Sequence, residues 1–420
     1  MKNVLMVTFQ YPPFHGSSAV NRTLHFTRQL GEWNWRPTVL TVAPRAYRQV
    51  SEERLTSIPR DVVVERTFGL DAARHLSVRG YRPFWLSLPD PWWSWWLSAV
   101  PRGLSLVRKT RTDVISSTFP IATTHLIAWT LHRLTGLPLV VDFRDPMTED
   151  EYVGARLTWT LYRWIERQCI TRCVRAVFTT QGARGDYLRR YPHLGEEKFV
   201  LIPNGYSEED FVIAEAMKVE PKTERPPLLL LHSGALYPSE RDPRALFAAL
   251  GNLLRASSIK RGDVKLVLRG TGFDGYHRKL IAEHGVESVV SLEPSLPYHE
   301  ALAEVIHADA LLVIQASSCN RQVPAKVYEY LRSRRPILAL TDPAGDTATV
   351  LRDAGVDSIV PLDSMEKIAE FLPAFLEDCR RGVAPRGSEK AIGGHSRRER
   401  ARVLAGVLDA ALRRDEDEPG

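Results

Sequence analysis

Short apolar runs alternate with amphipathic stretches from one end of the chain to the other. In the first half the runs fall at Val4–Thr8, Thr38–Val42, Val62–Glu65, Asp113–Ser117, Leu137–Asp142, Ala176–Thr179 and Phe199–Ile202. In the second half they fall at Leu228–His232, Val264–Leu268, Val289–Leu292, Ala310–Ile314, Pro336–Leu340 and Ser358–Pro361. Their length suits strands, and the segments between them repeat apolar residues at helical spacing. Strand and helix patterns in alternation predict parallel α/β units, and two such sets predict two Rossmann-like domains.

The turn Pro203-Asn204-Gly205 marks the boundary between the sets, and Val219 to Pro227 is charged and rich in proline, as an exposed hinge would be. The expected organisation is a first domain at 1–206, a linker at 207–227, a second domain at 228–385 and a C-terminal segment at 386–420. That last segment predicts a helix from about Ser396 to Arg413, followed by an acidic tail, Asp415-Glu416-Asp417-Glu418, whose charge run predicts disorder.

With 420 residues, 44% hydrophobic and 25% charged, the chain has the composition of a globular protein and is long enough for two cores. No stretch reaches the ~18 apolar residues of a membrane span, and Gln10-Tyr11-Pro12-Pro13 ends the first apolar run too early for a signal peptide. The four cysteines, Cys169, Cys173, Cys319 and Cys379, have neither disulfide-framework nor metal-ligand spacing. These features predict a cytoplasmic protein without a structural metal.

Charge is unevenly divided. Residues 1–206 carry 27 basic against 17 acidic side chains, and residues 207–420 carry 29 against 33. All ten tryptophans lie in the first half, among them Trp85, Trp92, Trp93, Trp95 and Trp96. Basic charge with interfacial aromatic residues predicts a peripheral contact with an anionic membrane, at the inner face of the cell membrane. The same tryptophans would equally serve to fill a core or a substrate cleft. No zinc-finger, helix-turn-helix or RNA-binding pattern is present, so nucleic acid is not an expected partner.

Three clusters carry chemistry. The run ending at Ile314 leads through a polar loop into Val323-Pro324-Ala325-Lys326-Val327-Tyr328-Glu329-Tyr330-Leu331, a helix start with a lysine in its first turn. A helix N-terminus with Lys326 can hold a diphosphate, and Glu329 can accept hydrogen bonds from ribose hydroxyls. A solvated amphipathic helix would read the same way. The first run opens into Tyr11-Pro12-Pro13-Phe14-His15-Gly16-Ser17-Ser18, where Gly16 and Ser17 would let backbone amides approach a phosphate or sugar. Asp142-Phe143-Arg144-Asp145 ends another run, at the carboxyl edge where parallel sheets place ligands. There Asp145 or Asp142 would contact an acceptor hydroxyl or take its proton, with Arg144 orienting the group; an ion pair among them is the structural alternative.

The order Pro-x-Lys-x-x-Glu-Tyr-Leu followed by Arg335-Pro336-Ile337-Leu338-Ala339 resembles the donor-site helix of retaining glycosyltransferases of the GT-B fold, group 1 or family 4 type. In that family two glutamates with seven residues between them flank the donor. Glu329 matches the second, whereas Arg321 stands at the first, a departure that bears on how the donor sugar is held. The resemblance also assigns Gly16 to the loop facing the donor, and Gly234 in Leu231-His232-Ser233-Gly234-Ala235 to the diphosphate site. Ala235 replaces one expected cation, and Arg241 stands one residue from the usual place of the other. Arg269-Gly270-Thr271-Gly272 resembles the family's Gly-x-Gly turn, implying that Gly270 and Gly272 border the nucleotide. Ser116 to Pro120 with His125 resembles the acceptor domain of a subgroup that builds surface polysaccharides, though a histidine there is also an ordinary helix residue.

The resemblance implies a GT-B fold, two Rossmann-like domains facing each other across a cleft, and a hexosyltransferase acting with retention of configuration. Its substrate would be a nucleotide sugar, with no further cofactor and no metal, and its acceptor a glycan, a lipid-linked glycan or a small molecule. An Asp-x-Asp metal motif occurs only in the tail, at Asp415-Glu416-Asp417. Two alternatives share the architecture: a nucleotide-sugar epimerase, and a non-catalytic partner subunit.

Overall fold

The computed structural model describes residues 1–15, 18–77, 79, 81, 83–148, 156–217 and 227–413. Gly16, Ser17 and the acidic tail lie outside these described residues. The chain divides into two compact units, one formed by Met1–Asn204 with Arg397–Gly420, the other by Gly205–Ser396.

The first unit is built on a seven-stranded sheet: β1 (Lys2–Val7), β2 (Trp35–Val42), β3 (Val63–Thr67), β4 (Val114–Thr118), β5 (Leu139–Arg144), β6 (Arg175–Phe178) and β7 (Phe199–Leu201). The strand order is β3-β2-β1-β4-β5-β6-β7, and every pairing is parallel. The second unit holds β8 (Leu228–Ser233), β9 (Val264–Arg269), β10 (Val290–Glu293), β11 (Ala310–Ile314), β12 (Ile337–Leu340) and β13 (Ile359–Val360). Their order is β10-β9-β8-β11-β12-β13, again parallel throughout. Both sheets therefore reverse their winding direction beside their first strand, between β1 and β4 and between β8 and β11.

Each apolar run of the sequence became one strand. Helical crossovers cover both faces of a parallel sheet, so its strands read as continuous apolar runs rather than alternating ones. The fully buried β11, Ala-Leu-Leu-Val-Ile, is the clearest case. Ends shifted by a residue or two where prolines intervene: Pro138 delays β5 to Leu139, and Pro336 delays β12 to Ile337. Along β5, Leu139, Val141 and Phe143 face one core while Val140 faces the other.

That second core is closed by the helix Arg397–Arg413, whose Ala401, Leu404, Ala405, Leu408 and Ala411 recur at helical spacing and are buried against Val4, Met6, Val114 and Val140. Asp409 on this helix accepts hydrogen bonds from Lys2 Nζ at 2.7 Å and Trp35 Nε1 at 3.0 Å.

Two expectations need correction. The proposed linker begins too early, because Glu208–Glu215 forms a helix of the second unit with Phe211 and Ala214 fully buried. Ser207 caps it by accepting from Asp210 N at 3.2 Å, and its three acidic residues in the first turn favour the helix dipole; this polar start hid the helix in a charged stretch. Residues 218–226 lie outside the described residues. The tryptophan cluster is mostly interior: Trp95 is fully buried with its indole N–H donating to Thr67 Oγ1 at 2.9 Å, and Trp92 packs on Phe9 with ring centres 4.8 Å apart. Trp96 donates to Thr130 Oγ1, and within the cluster Trp85 is the exposed member.

Since all ten tryptophans belong to the first unit, their fluorescence reports its unfolding alone. Leu408→Ala, made at the far end of the chain, is expected to destabilise that transition by ~2–5 kcal/mol, the usual cost of an emptied Leu site. A urea titration followed by tryptophan fluorescence measures it, and an unshifted midpoint would mean that the last helix does not complete this core.

Candidate functional site

In the second unit the carboxyl ends of β8 and β11 are neighbours, which makes this the switch point where open α/β sheets bind ligands. The helix Ala325–Ser333 starts just beyond β11, behind Pro324, with no side chain capping its first turn. Its amide groups and dipole therefore leave positive potential at that end.

Lys326 is anchored there by a group that sequence reading overlooked. His232, at the end of β8, is buried, and its Nδ1 lies 2.8 Å from the carbonyl oxygen of Leu312. A carbonyl only accepts, so Nδ1 carries the proton and Nε2 presents a lone pair. Lys326 Nζ donates to that lone pair at 3.0 Å. Burial and the adjacent Lys326 hold the His232 imidazole well below its usual pKa, so it is neutral. Lys326 is itself depressed to about 7, first by burial and then by repulsion from Arg241, with Glu329 opposing the shift. A cation at this position is poised to gain stability from an anion.

Gly234 makes the space for this ammonium. Its φ of +113° suits glycine, and a Cβ there would come 3.0 Å from Lys326 Nζ. Tyr330, one turn beyond Lys326 and buried, accepts from Ser233 N–H at 2.9 Å and so fixes the end of β8 to the helix. Glu329 is half-buried and accepts from the Tyr298 hydroxyl at 2.8 Å. Arg241 donates to the carbonyl of Ala235 at 3.0 Å and lies over the Tyr237 ring at 5.4 Å. Tyr237 in turn meets Phe273 edge to face at 5.8 Å, both rings well exposed.

The turn after β9 carries positive φ at Gly270 (64°) and Gly272 (78°). A Cβ on Gly270 would meet Ser295 Oγ at 2.8 Å, whereas the space beside Gly272 is open. Arg269 is occupied by Glu304, Nε to Oε2 at 2.8 Å. Arg321 lies exposed on the loop between β11 and the helix. The structure thus gathers Gly234, Arg241, Lys326 and Glu329, with His232, Tyr298 and Tyr330 as the supports that sequence reading missed. A histidine immediately before Ser-Gly at a strand end was the available signal.

In the first unit the predicted trio separates. Asp142 is buried in an ion pair with Arg22, Nε to Oδ2 at 2.8 Å and Nη2 to Oδ1 at 3.3 Å. Arg22 also donates to the carbonyls of Ile202 and Pro203 at 2.9 and 3.1 Å. Asp142 is therefore a tie between the helix Ser18–Gln29, β5 and the end of β7, not a free base. Arg144 and Asp145 form a pair at 3.1 Å, half-buried beyond a register shift in β5. Arg144 has φ of +47°, a conformation that costs a non-glycine residue on the order of 1 kcal/mol and that collects at functional sites.

His125 is not at a reacting surface. It is fully buried against Phe119 and Phe143, it bonds Ser117 Oγ at 2.8 Å, and burial pushes its pKa down to about 3. The apolar face of its helix was the stronger signal. Among the described residues no group of His, Cys, Asp and Glu could hold a metal ion, and no helix is long and apolar enough to cross a membrane.

Residues 18–205 match the family profile described as a glycosyl transferase 4-like domain. No curated protein sequence matches the chain. Among solved structures, sucrose-phosphate synthase from Thermosynechococcus elongatus is similar with a TM-score of 0.63 at 14% identity, over 99% of this chain and 98% of that one. HepE from Anabaena, solved in complex with UDP, has a TM-score of 0.62 at 13% identity over 99% of each chain. A putative UDP-N-acetylglucosamine 2-epimerase from Listeria monocytogenes reaches 0.56 at 12% identity, over 100% of this chain and 98% of that one. The chain thus has the two-domain GT-B architecture, and its residues 18–205 match the glycosyl transferase 4-like domain family.

Proposed function

We propose that the protein transfers a hexose from a nucleotide sugar to a hydroxyl of a glycan or lipid-linked acceptor, with retention of configuration. The observation that carries this reading is Lys326, held at a switch point by His232, beside Gly234, Arg241 and an uncapped helix N-terminus. Such a site suits the diphosphate of the donor.

In the proposed reaction the bond between the anomeric carbon and the diphosphate oxygen breaks as the acceptor oxygen bonds to that carbon. The nucleoside diphosphate leaves with the electron pair, and the proton of the acceptor hydroxyl passes to the departing diphosphate. Lys326 and Arg241 stabilise the departing charge in place of a divalent cation. Glu329, oriented by Tyr298, accepts from the ribose hydroxyls. Asp145, paired with Arg144 at the carboxyl edge of the first sheet, contacts the acceptor hydroxyl. HepE, solved with UDP and with UDP-glucose, supports a nucleotide-sugar ligand. The epimerase alternative rests on fold likeness, while the domain family of residues 18–205 favours transfer.

Calorimetry with UDP, GDP and their sugar conjugates tests the donor site. Lys326→Met and Glu329→Ala should each weaken binding of one nucleotide class by roughly tenfold or more, equivalent to about 1.4 kcal/mol. Unchanged affinity in both would remove the assignment.

The depressed Lys326 adds a pH dependence. In the free protein it titrates at about 7, and a bound diphosphate raises that value. Affinity should therefore be full below pH 7 and decline as pH rises above it, with proton uptake on binding. Nucleotide sugars are the ligands to use, since their diphosphate diester does not titrate in this range. A flat affinity profile from neutral to alkaline pH would contradict the role of Lys326.

For the acceptor side, Asp145→Ala is expected to reduce sugar transfer at least about tenfold in kcat/KM while leaving nucleotide affinity near that of the wild type. Radiolabelled transfer assays beside the calorimetry separate the two effects, and an unaffected rate would release Asp145 from its role.

A further inference from the structure

Three helices, Trp95–Thr110, Ala122–Thr135 and Arg156–Arg172, lie side by side over one face of the first sheet. Together they carry eight arginines and lysines and a single acid, Glu166. That acid does not reach the surface. It is fully buried, paired with Arg190 at 2.7 Å, and accepts from Thr148 Oγ1, Tyr187 OH and Tyr191 OH at 2.9, 2.7 and 2.8 Å.

The outward side of these helices is consequently cationic. Arg108, Lys109, Arg133, Arg163, Arg167 and Arg172 are exposed, and among the described residues none of the six pairs with a carboxylate. At one margin Arg102 pairs with Glu65 of β3 at 2.8 Å. The acids Glu149, Asp150 and Glu151, which precede the third helix in sequence, lie outside the described residues. Large apolar side chains are set among the arginines: Leu97, Leu134, Leu157 and Trp164 are 57%, 60%, 51% and 44% exposed. The second unit has a surface helix of mixed charge instead; Met365–Arg380 exposes Glu366, Glu370 and Glu377 together with Lys367 and Arg380.

Exposed Leu and Trp alone would be unremarkable, and a cationic surface alone would suit any polyanion. Their interleaving on one helical layer selects between the partners. On a nucleic acid the phosphates would engage the arginines and leave Leu134 and Leu157 against water or sugar edges. A bilayer surface satisfies both at one depth, with phosphates for the guanidinium groups and an acyl boundary for Leu and Trp.

We propose that this three-helix face docks the protein peripherally on an anionic lipid bilayer. The arginines sit at headgroup phosphates, and Leu97, Leu134, Leu157 and Trp164 enter the interface. The surface belongs wholly to the first unit and uses no residue of the nucleotide site, so it stands or falls independently of the proposed reaction.

The test is co-sedimentation of the full-length protein with vesicles of phosphatidylcholine alone and of phosphatidylcholine mixed with phosphatidylglycerol. Binding is expected to the mixed vesicles only, and to weaken with added salt. Each headgroup-facing cation contributes roughly a fivefold factor in affinity, so the double variant Arg163→Glu, Arg167→Glu should bind at least about tenfold more weakly. The double variant Leu134→Ser, Leu157→Ser alters well-exposed side chains without touching charge, and it too should lose affinity. Tryptophan-detected melting establishes that each variant keeps the first unit folded. The proposal is overturned if wild type ignores anionic vesicles, if both folded variants bind as wild type does, or if duplex RNA displaces the vesicles at lower concentration.

Discussion

Parallel pairing of every strand in both sheets is the constraint on which the rest of this molecule depends. Successive parallel strands cannot be joined by hairpins, so each needs a crossover, and the crossovers bury both sheet faces. Polar chemistry is then confined to the strand ends. At the carboxyl edge of the second sheet this places Gly234, the Gly270 to Gly272 turn and the start of the helix Ala325–Ser333 around the β8 and β11 ends. At the same edge of the first sheet it places Arg144 and Asp145.

Two opposed electrostatic terms meet at Lys326. Withdrawal from water and the nearby Arg241 disfavour its charge, while Glu329 favours it. The buried His232 cannot share the proton, because its own protonation is more strongly disfavoured. The outcome is an ammonium whose best partner is an anion, oriented by a neutral imidazole that is itself fixed by a backbone carbonyl. Such a cation is prepared for its ligand before the ligand arrives, which reduces the reorganisation needed on binding.

The sequence made the strands legible because parallel strands are apolar on both sides, a signal carried by the residues themselves. Lys326 and Glu329 were legible for a related reason: one helix turn fixes their relation without reference to the rest of the fold. What depended on distant partners was hidden. Asp142 looks like a strand-end acid until Arg22, far away in sequence, is brought beside it. His125 resembles a base until Phe119 and Phe143 enclose it. The tryptophans Trp95 and Trp164 are alike in composition, and their place on the turn of their helices decides that the first is buried and the second exposed. The helix Glu208–Glu215 was concealed because its capping residues resemble those of a loop.

The first unit is assembled from two stretches of chain, with the whole of the second unit between them. During synthesis the second unit is complete in sequence while the first still lacks the helix Arg397–Arg413. The side of the first sheet lined by Val4, Met6 and Val140 therefore stays uncovered until residues 397–413 have been made. Its apolar strip is exposed throughout that interval, the period in which a nascent chain is most open to aggregation and to chaperones. The order of maturation is the reverse of the order of synthesis: the unit begun first is the unit finished last.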